Sequence, residues 1–260
     1  MNDLESVKEY LFKCKRILFL TGPDISPLPN FDNPKSVWGE YSMIDLATPD
    51  AFHTNPDTVY KFYEYRRRLV KELMIKVRDS IENIQLPHSI LAKLSNIDEI
   101  ESLTITQNVD NLHLLFNHNK RRLLEFHGNI FEAKCTEFFC GFKFKLDTWD
   151  SNPMPVKCPC GGLLRPNIVW YGESVPLGVI DEADDFILDG VDLLVVVGTG
   201  MDVWPAATYV DLAREQGAKL LIINEQEKYI ETDTIGTVWQ VSGDNYVQLL
   251  NNVFTDLINK

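Results

Sequence analysis

Three sequence segments and four cysteines, all within residues 106–173, decide how this chain is interpreted. Residues 106–113 read TQNVDNLH, residues 126–128 read FHG, and residues 163–173 read LLRPNIVWYGE. The cysteines stand between the second and third segments and are Cys135, Cys140, Cys158 and Cys160. The block therefore combines polar side chains suited to a ligand, one histidine beside a glycine, a set of metal ligands and a β-like run.

The size and charge of the chain limit the classes of partner. It has 260 residues, of which 45% are hydrophobic and 24% charged, and its formal net charge is −13. Such a chain can bury a large core. Because nucleic acid attracts clustered Lys and Arg, the charge argues against direct sequence-specific nucleic-acid binding. It suits basic partners such as lysine-rich peptides, although solubility alone also explains it.

The sequence also bears on the location of the protein. No run reaches the roughly 18 apolar residues that a membrane span needs, so we expect no membrane association. The N-terminal residues MNDLESVKEYLFKCKR carry early acidic residues and no small-residue cleavage site, unlike a signal or transit peptide. We therefore expect a cytoplasmic or nuclear protein. In such a reducing compartment, clustered cysteines indicate a metal site before disulfides.

Short apolar runs that end in small or polar residues predict a parallel sheet. They cover residues 16–22, 102–106, 193–198 and 219–224, with a weaker run at residues 237–242. Helical patterns lie at the N-terminus and between the third and fourth runs. Strands that alternate with helices are typical of an α/β fold, with a Rossmann-like, doubly wound parallel sheet covered on both faces.

The predicted strands bring four polar or small residues to one edge. Ligands bind doubly wound sheets at the carboxyl ends of the strands. Gly22, Gln107, Gly198 and Asn224 all fall at such ends, so we expect them to share a site. The helix after Gly198 is expected to begin at Pro205 and to stop at Gly217.

We expect a single domain with two inserted units. A charged helical segment covers residues 40–90, and a small zinc-binding module covers residues 131–166. The rest forms the Rossmann-like part, made of residues 16–30, 90–128 and 167–250.

The four clustered cysteines have the spacing of a zinc ribbon. Cys135 and Cys140 flank four residues, Cys158 and Cys160 flank one, and 17 residues separate the two pairs. Four thiolates close a tetrahedral Zn²⁺ site and leave no open position, so the zinc would be structural. The alternative is a group of four unligated core cysteines.

The order and spacing of these motifs resemble those of the sirtuin family, the NAD-dependent protein lysine deacylases. The resemblance extends from about residue 16 to residue 250, and includes GT at residues 198–199, VWPAA at residues 203–207 and IN at residues 223–224. It implies NAD as cofactor, one structural zinc ion per chain, and acyl-lysine proteins or peptides as substrates.

The resemblance also implies roles for individual residues. His127 would be the general base, and Asn108 and Asp110 would hold the carboxamide of nicotinamide. The implied cofactor-binding residues are Gly22, Ile25, Ser26, Phe31, Gln107, Asn108, Asp110, Gly198, Thr199, Gly200, Asn224, Glu225 and Gly243. A segment for strand addition to the substrate peptide would consist of Val169, Trp170, Tyr171, Gly172 and Glu173. This segment also fits a core strand.

Residues 42–68 resemble the class III branch of the family, which removes short acidic acyl groups from lysine. That branch has a Tyr-x-x-Arg motif in its acyl pocket, which Tyr63 and Arg66 match. The forked donors of Arg would favour the carboxylate of a succinyl or malonyl group, as in a desuccinylase. The alternative for both residues is a solvated helix face.

The loop after the first strand departs from the family pattern. GPDIS at residues 22–26 stands where the family has Gly-Ala-Gly-x-Ser, and Asp32 stands at a family Arg. Pro23 lacks an N–H for a phosphate, and Asp24 adds a negative charge. One hypothesis is a working deacylase with a rebuilt loop. Another is a degenerate member with impaired NAD binding, acting as a peptide-binding or scaffolding subunit. An NAD hydrolase would use much the same residues.

Overall fold

The computed structural model of the protein describes most of the chain. The described ranges are residues 3–28, 37–80, 84–146, 156–201, 204–225 and 238–260. Phe31 and Asp32, which the sequence places in the cofactor loop, lie outside these ranges.

Strands and helices alternate along the described ranges. The strands are β1 (Arg16–Thr21), β2 (Val37–Trp38), β3 (Tyr41–Ser42), β4 (Glu101–Thr106), β5 (Leu123–Glu125), β6 (Gly128–Cys135), β7 (Lys143–Lys145), β8 (Leu164–Ile168), β9 (Leu193–Val197), β10 (Lys219–Asn224) and β11 (Val238–Ser242). The helices are α1 (Asp3–Leu11), α2 (Met43–Leu46), α3 (Pro49–Thr54), α4 (Pro56–Asp79), α5 (Pro87–Ser95), α6 (Leu112–Leu115), α7 (Leu177–Leu188), α8 (Thr208–Glu215) and α9 (Tyr246–Ile258).

The main sheet is parallel and has the order β11-β10-β9-β1-β4-β5. The alternation of β1 shows why both faces are covered. Ile17 and Phe19 pack with α1, α5 and α9 on one face. Leu18 and Leu20 pack with α7 and α8 on the other. The predicted Rossmann-like, doubly wound fold is confirmed, and all five predicted strands are present.

Two further units pack together beside the main sheet. Helices α2 to α4 form one, and β7-β6-β8 form an antiparallel sheet that carries the cysteines. Tyr60 and Tyr63 of α4 share one hydrophobic cluster with Ile130, Leu164 and Trp170. The helical segment and the cysteine-bearing sheet are therefore held by a common core.

Local signals account for the ends of two helices. Asn55 caps α4 by accepting a hydrogen bond from the Thr58 N–H at 3.2 Å. Gly217 ends α8 with φ +93°, a conformation that favours glycine. Pro205 lies in the turn before α8, so the predicted start of this helix was three residues too early.

Among the described residues, no helix has the length and apolar character of a membrane span.

Candidate active site

The carboxyl ends of four neighbouring strands meet at one edge of the main sheet. The chain proceeds outward from β1 to β4 and β5 on one side, and from β9 to β10 and β11 on the other. The direction changes between β1 and β9, and doubly wound sheets bind ligands at such a switch point. The structure places Gly22, Gln107, Gly198 and Asn224 at this edge, as predicted.

Gly22 and Gly198 allow the two turns at the switch point to touch. A Cβ on Gly22 would lie 2.4 Å from Thr199 Cβ, and a Cβ on Gly198 would lie 2.5 Å from Ile25 Cγ2. Gly198 also has φ +60°, which side chains other than glycine rarely adopt. Larger residues at either position would push the turns apart.

A chain of hydrogen bonds crosses this edge and ends at His127. Asn224 Nδ2 donates to Thr199 O at 3.1 Å, and Thr199 Oγ1 donates to Gln107 Oε1 at 2.7 Å. Nδ1 of His127 lies 3.1 Å from Gln107 O. Because a carbonyl oxygen only accepts, Nδ1 must carry the proton in this contact. Nε2 of the neutral ring is then a proton acceptor.

The turn that carries His127 explains the FHG motif. Phe126 and His127 link β5 to β6, and the Phe126 ring is fully buried under the sheet. Gly128 has φ +86°, and a Cβ there would lie 2.0 Å from Asn167 O. The Val169 N–H donates to His127 O at 2.9 Å. The turn therefore holds the histidine between the main sheet and the cysteine-bearing sheet.

Several buried polar atoms along this edge of the sheet lack hydrogen-bond partners among the described residues. Asn108 is 1% exposed, and neither its Oδ1 nor its Nδ2 is paired. Gln107 Nε2 and Asn224 Oδ1 are also unpaired. Since buried polar groups in folded proteins are nearly always paired, these atoms fit a polar ligand that supplies the partners. The carboxamide and ribose hydroxyls of NAD offer both donors and acceptors.

Asp110 lies where Ser26, of the predicted cofactor loop, and Arg66, of the predicted acyl-pocket motif, both act on it. Burial raises the pKa of its carboxyl group. The Leu112 N–H, the Ser26 hydroxyl and the positive charge of Arg66 act in the opposite direction. The Leu112 N–H donates to Asp110 Oδ1 at 2.9 Å. Ser26 and Arg66, 40 positions apart in the sequence, thus act on one carboxylate.

Tyr63 and Arg66 lie inside the protein. They are 1% and 4% exposed, so the interpretation as a solvated helix face is wrong. Tyr63 Oη accepts a hydrogen bond from Trp170 Nε1 at 2.8 Å. The guanidinium carbon of Arg66 lies 5.5 Å from the centre of the Tyr63 ring. Helix α4 is therefore joined directly to the segment predicted to bind peptide.

Residues 169–173 form a turn beyond the end of β8, which stops at Ile168. Gly172 lies in this turn with φ +85°. The interpretation of this segment as a core strand is wrong, because its donors serve three different parts of the chain. Val169 donates to His127 O at 2.9 Å, Trp170 to Glu173 Oε2 at 2.9 Å, and Tyr171 to Ala47 O at 3.0 Å.

Arg165 fixes this turn, and sequence reasoning missed it. It is 7% exposed and binds Glu173 with two hydrogen bonds of 2.5 and 2.8 Å. Its guanidinium carbon lies 3.4 Å from the centre of the Trp170 ring. Burial raises the pKa of Glu173, but the hydrogen bonds from Arg165 and from the Trp170 N–H, together with the charges of Arg165 and Lys134, outweigh burial, so the net shift is downward. A charged residue within the predicted β-like run was the available signal, because a buried charge needs a partner.

The loop at the predicted phosphate end is bound to the rest of the edge by its backbone. Residues 23–25 form one 3₁₀ turn, and the Asp24 N–H donates to Gly198 O at 3.0 Å. The Asp24 side chain is exposed and lines a cavity of about 390 Å³ with Asp244 and Tyr246. Burial, and then the charge of Asp24, raise the pKa of Tyr246 to about 12. This end of the site is therefore acidic.

The remaining predicted cofactor residues also lie at this edge. The Gly243 N–H donates to Asn224 O at 3.2 Å, and the Glu225 N–H donates to Tyr246 Oη at 3.1 Å. Gly200 directly follows Thr199.

The four cysteines converge on one point in the antiparallel sheet. Their Sγ atoms all lie within 4.8 Å of one another, including pairs at 3.5 Å (Cys135–Cys160) and 3.6 Å (Cys140–Cys158). Tetrahedral zinc with Zn–S bonds of about 2.3 Å would separate the sulfurs by about 3.8 Å. Gly161, with φ +96°, forms the turn after the tight second pair. The arrangement fits one zinc ion and argues against four unligated core cysteines.

Comparisons with known proteins give a consistent result. The sequence model described as the Sir2 family matches residues 25–205. An NAD-dependent protein deacylase of Candida albicans is 35% identical, with 93% of this chain and 94% of that protein covered. A protein of the same name from Aquifex aeolicus is 35% identical, with 81% of this chain and 84% of that protein covered.

Solved structures agree. A Sir2 homologue in complex with NAD has a TM-score of 0.78 at 29% identity, covering 97% of this chain and 94% of that one. A Sir2 protein bound to an inhibitor, 2′-O-acetyl-ADP-ribose and a deacetylated p53 peptide has a TM-score of 0.69 at 25% identity, with 97% and 98% coverage.

Proposed function

The chain belongs to the Sir2 family, and we propose that it is an NAD-dependent protein deacylase with His127 as its general base. One observation carries this proposal. Gln107 and Asn224 lie on the hydrogen-bond chain that ends at His127, and each has one buried amide atom without a partner among the described residues. The buried amide of Asn108, which directly follows Gln107, is unpaired at both of its polar atoms. This arrangement provides a polar ligand site and a proton acceptor side by side.

The residues of the proposed site have separate roles. When bound, NAD would supply the ribose carbon to which the carbonyl oxygen of the acyl-lysine bonds, with nicotinamide as the leaving group. Asn108 and Asp110 would hold the nicotinamide carboxamide, because both are buried and polar. Gln107 O keeps the proton of His127 on Nδ1, so that Nε2 can remove a proton from a ribose hydroxyl.

Nicotinamide release tests the deacylase proposal directly. The protein is mixed with NAD and an acetyl-lysine or succinyl-lysine peptide, and nicotinamide is measured by chromatography. We expect release that depends on the acylated peptide. Release at the same rate with an unacylated peptide would indicate an NAD hydrolase instead. No release, with no NAD binding at millimolar concentration by calorimetry, would favour the scaffolding alternative.

We infer further that the acyl pocket favours a short acidic acyl group. Arg66 is a buried cation near Asp110, and Tyr63 lies beside it with its Oη bonded to Trp170. A forked guanidinium binds a carboxylate with two hydrogen bonds, whereas an acetyl group offers it nothing comparable. Succinyl-lysine or malonyl-lysine proteins are therefore the proposed substrates.

Arg66→Met should reduce desuccinylation far more than deacetylation. A lost charge-assisted pair costs about 2 kcal/mol or more, which corresponds to roughly 30-fold or more in kcat/KM for the succinyl peptide. Arg68→Met is the matched control, because Arg68 lies on the same helix, is exposed and forms a salt bridge with Glu72 at 3.8 Å. Equal losses for both peptides would remove Arg66 from acyl recognition.

The negative charge of Asp24 at the predicted phosphate end favours the scaffolding alternative, and removing that charge tests it. Asp24→Ala removes one negative charge from the cavity at the phosphate end. Because like charges repel, we expect the KM for NAD to fall by about fivefold while the KM for the peptide stays constant. Asp189→Ala, an exposed residue beyond the end of α7, controls for total charge. An unchanged KM for NAD would show that the loop tolerates Asp24.

A further inference from the structure

Three hydrogen bonds join the polar segment (residues 107–111) to the turn and strand that follow β5. His127 Nδ1 contacts Gln107 O at 3.1 Å, and the Ile130 N–H donates to Val109 O at 3.0 Å. Asn129 Nδ2 donates to Asn111 Oδ1 at 2.9 Å. The first two bonds use the backbone of the segment, so the third is the only one of the three between two side chains.

Asn129 is fully committed in this contact. It is 5% exposed, and its Oδ1 accepts from the Phe131 N–H at 2.8 Å. Its Nδ2 donates to Glu125 Oε1 at 2.8 Å as well as to Asn111. An Asn side chain has two N–H donors, so both are used. Rotating the amide would set its oxygen against two acceptors, and Glu125 therefore fixes which way the amide nitrogen points.

Asn111 needs this support because of its backbone. Its φ of 63° lies in the left-handed region, which Asn tolerates better than most residues but still at some cost. The preceding residue is Asp110, whose Oδ1 accepts from the Leu112 N–H on the other side of Asn111. The conformation of Asn111 thus sets the direction of the Asp110 carboxylate.

We propose that Glu125 is a positioning residue that acts through Asn129 and Asn111 to hold the polar segment in register with His127. Among the described residues, the Glu125 side chain is hydrogen-bonded to Asn129 and not to His127 or to Asp110. Its effect is to keep Asp110 and Asn108 at a fixed distance from the turn that carries His127. The catalytic consequence rests on the proposed function, whereas the structural link does not.

The charges around Glu125 make its role dependent on pH. Burial, and then the charge of Glu132 on β6, raise its pKa to about 7, and Asp110 adds to this shift. The hydrogen bond from Asn129 and the charge of Lys145 on β7 act in the opposite direction. Since this pKa is near neutral, both forms of Glu125 are populated under ordinary conditions. Glutamine reproduces the neutral form and keeps an oxygen for Asn129.

The experiment compares Glu125→Ala, Glu125→Gln and Asn111→Gly in the full chain. Glycine accepts the left-handed backbone at position 111, so this variant removes the side-chain contact without added strain. We expect Glu125→Ala and Asn111→Gly to accelerate hydrogen exchange of residues 107–112 without NAD. We also expect both to lower kcat and weaken nicotinamide inhibition by roughly tenfold, with the peptide KM unchanged. Glu125→Gln should keep most of the wild-type kcat and most of the wild-type inhibition by nicotinamide.

Additivity and pH separate positioning from general destabilisation. The double variant Glu125→Ala with Asn111→Gly should lose no more kcat than the worse single variant, because both substitutions break the same chain of contacts. An acid with a raised pKa contributes stability that is lost as pH rises through about 7, so Glu125→Gln should gain Tm over wild type at about pH 8.5 but not at about pH 4. Unchanged exchange of residues 107–112 in both single variants would overturn the proposal. If the single variants accelerate the exchange of residues 107–112 but the wild type shows no deacylation, only the proposed function is overturned.

Discussion

Replacing His127 with Asn is expected to abolish most deacylation. Asn preserves a donor that can reach Gln107 O, which His127 Nδ1 contacts at 3.1 Å, but it offers no group that gains a proton near neutral pH. General base catalysis typically contributes 10²- to 10⁴-fold, so we expect kcat to fall by at least about 100-fold. NAD binding measured by calorimetry should change by less than about threefold, because the polar segment is held by other bonds.

His53→Asn is the matched control for this result. His53 is exposed near the end of α3, and its replacement should leave kcat unchanged. A His127→Asn protein that retains its Tm and more than about a tenth of wild-type kcat would refute the role of general base. The proton would then have to pass to another group.

The strands of the main sheet were predictable because each is a continuous apolar run with a polar or small residue at its end. In β9, Leu193 to Val197 are all fully buried, which is what a central parallel strand requires. The same pattern located Gln107 and Asn224 at the carboxyl ends of β4 and β10. Strand β5 was missed because Leu123–Glu125 is only three residues long and lies at the edge of the sheet.

The site was predictable only as far as local motifs carry information. The FHG motif located the turn that carries His127, the proposed base, since Gly128 is required where a Cβ would lie 2.0 Å from Asn167 O. The turn at residues 169–173 was not predictable, because it depends on Arg165 reaching Glu173 and on Ala47 accepting from Tyr171. Contacts between distant segments leave no periodic pattern in the sequence. The same limit hid the bond from Asn129 to Asn111.

Removing the zinc is expected to unfold the cysteine-bearing sheet and to abolish activity. Zinc binding to four thiolates supplies roughly 10–16 kcal/mol of folding free energy in small zinc domains, which is comparable with the whole stability of a typical protein. Cys158 also belongs to the hydrophobic cluster that contains Tyr63 and Trp170. We therefore expect Cys158→Ser, or treatment with a strong chelator, to lower Tm and to eliminate nicotinamide release.

The zinc content, measured by elemental analysis, tests this prediction, and a variant at a cysteine outside the cluster is the control. We expect one zinc per chain in the wild type and less than half of that in Cys158→Ser. Cys14→Ser is the control, because Cys14 is buried in the core beneath α1 and donates to Tyr10 O at 3.4 Å, away from the cluster. A polar hydroxyl there should cost about 1–3 kcal/mol of the free energy of unfolding and leave the zinc content unchanged. A folded, active Cys158→Ser protein without metal would show that packing alone holds the sheet against His127.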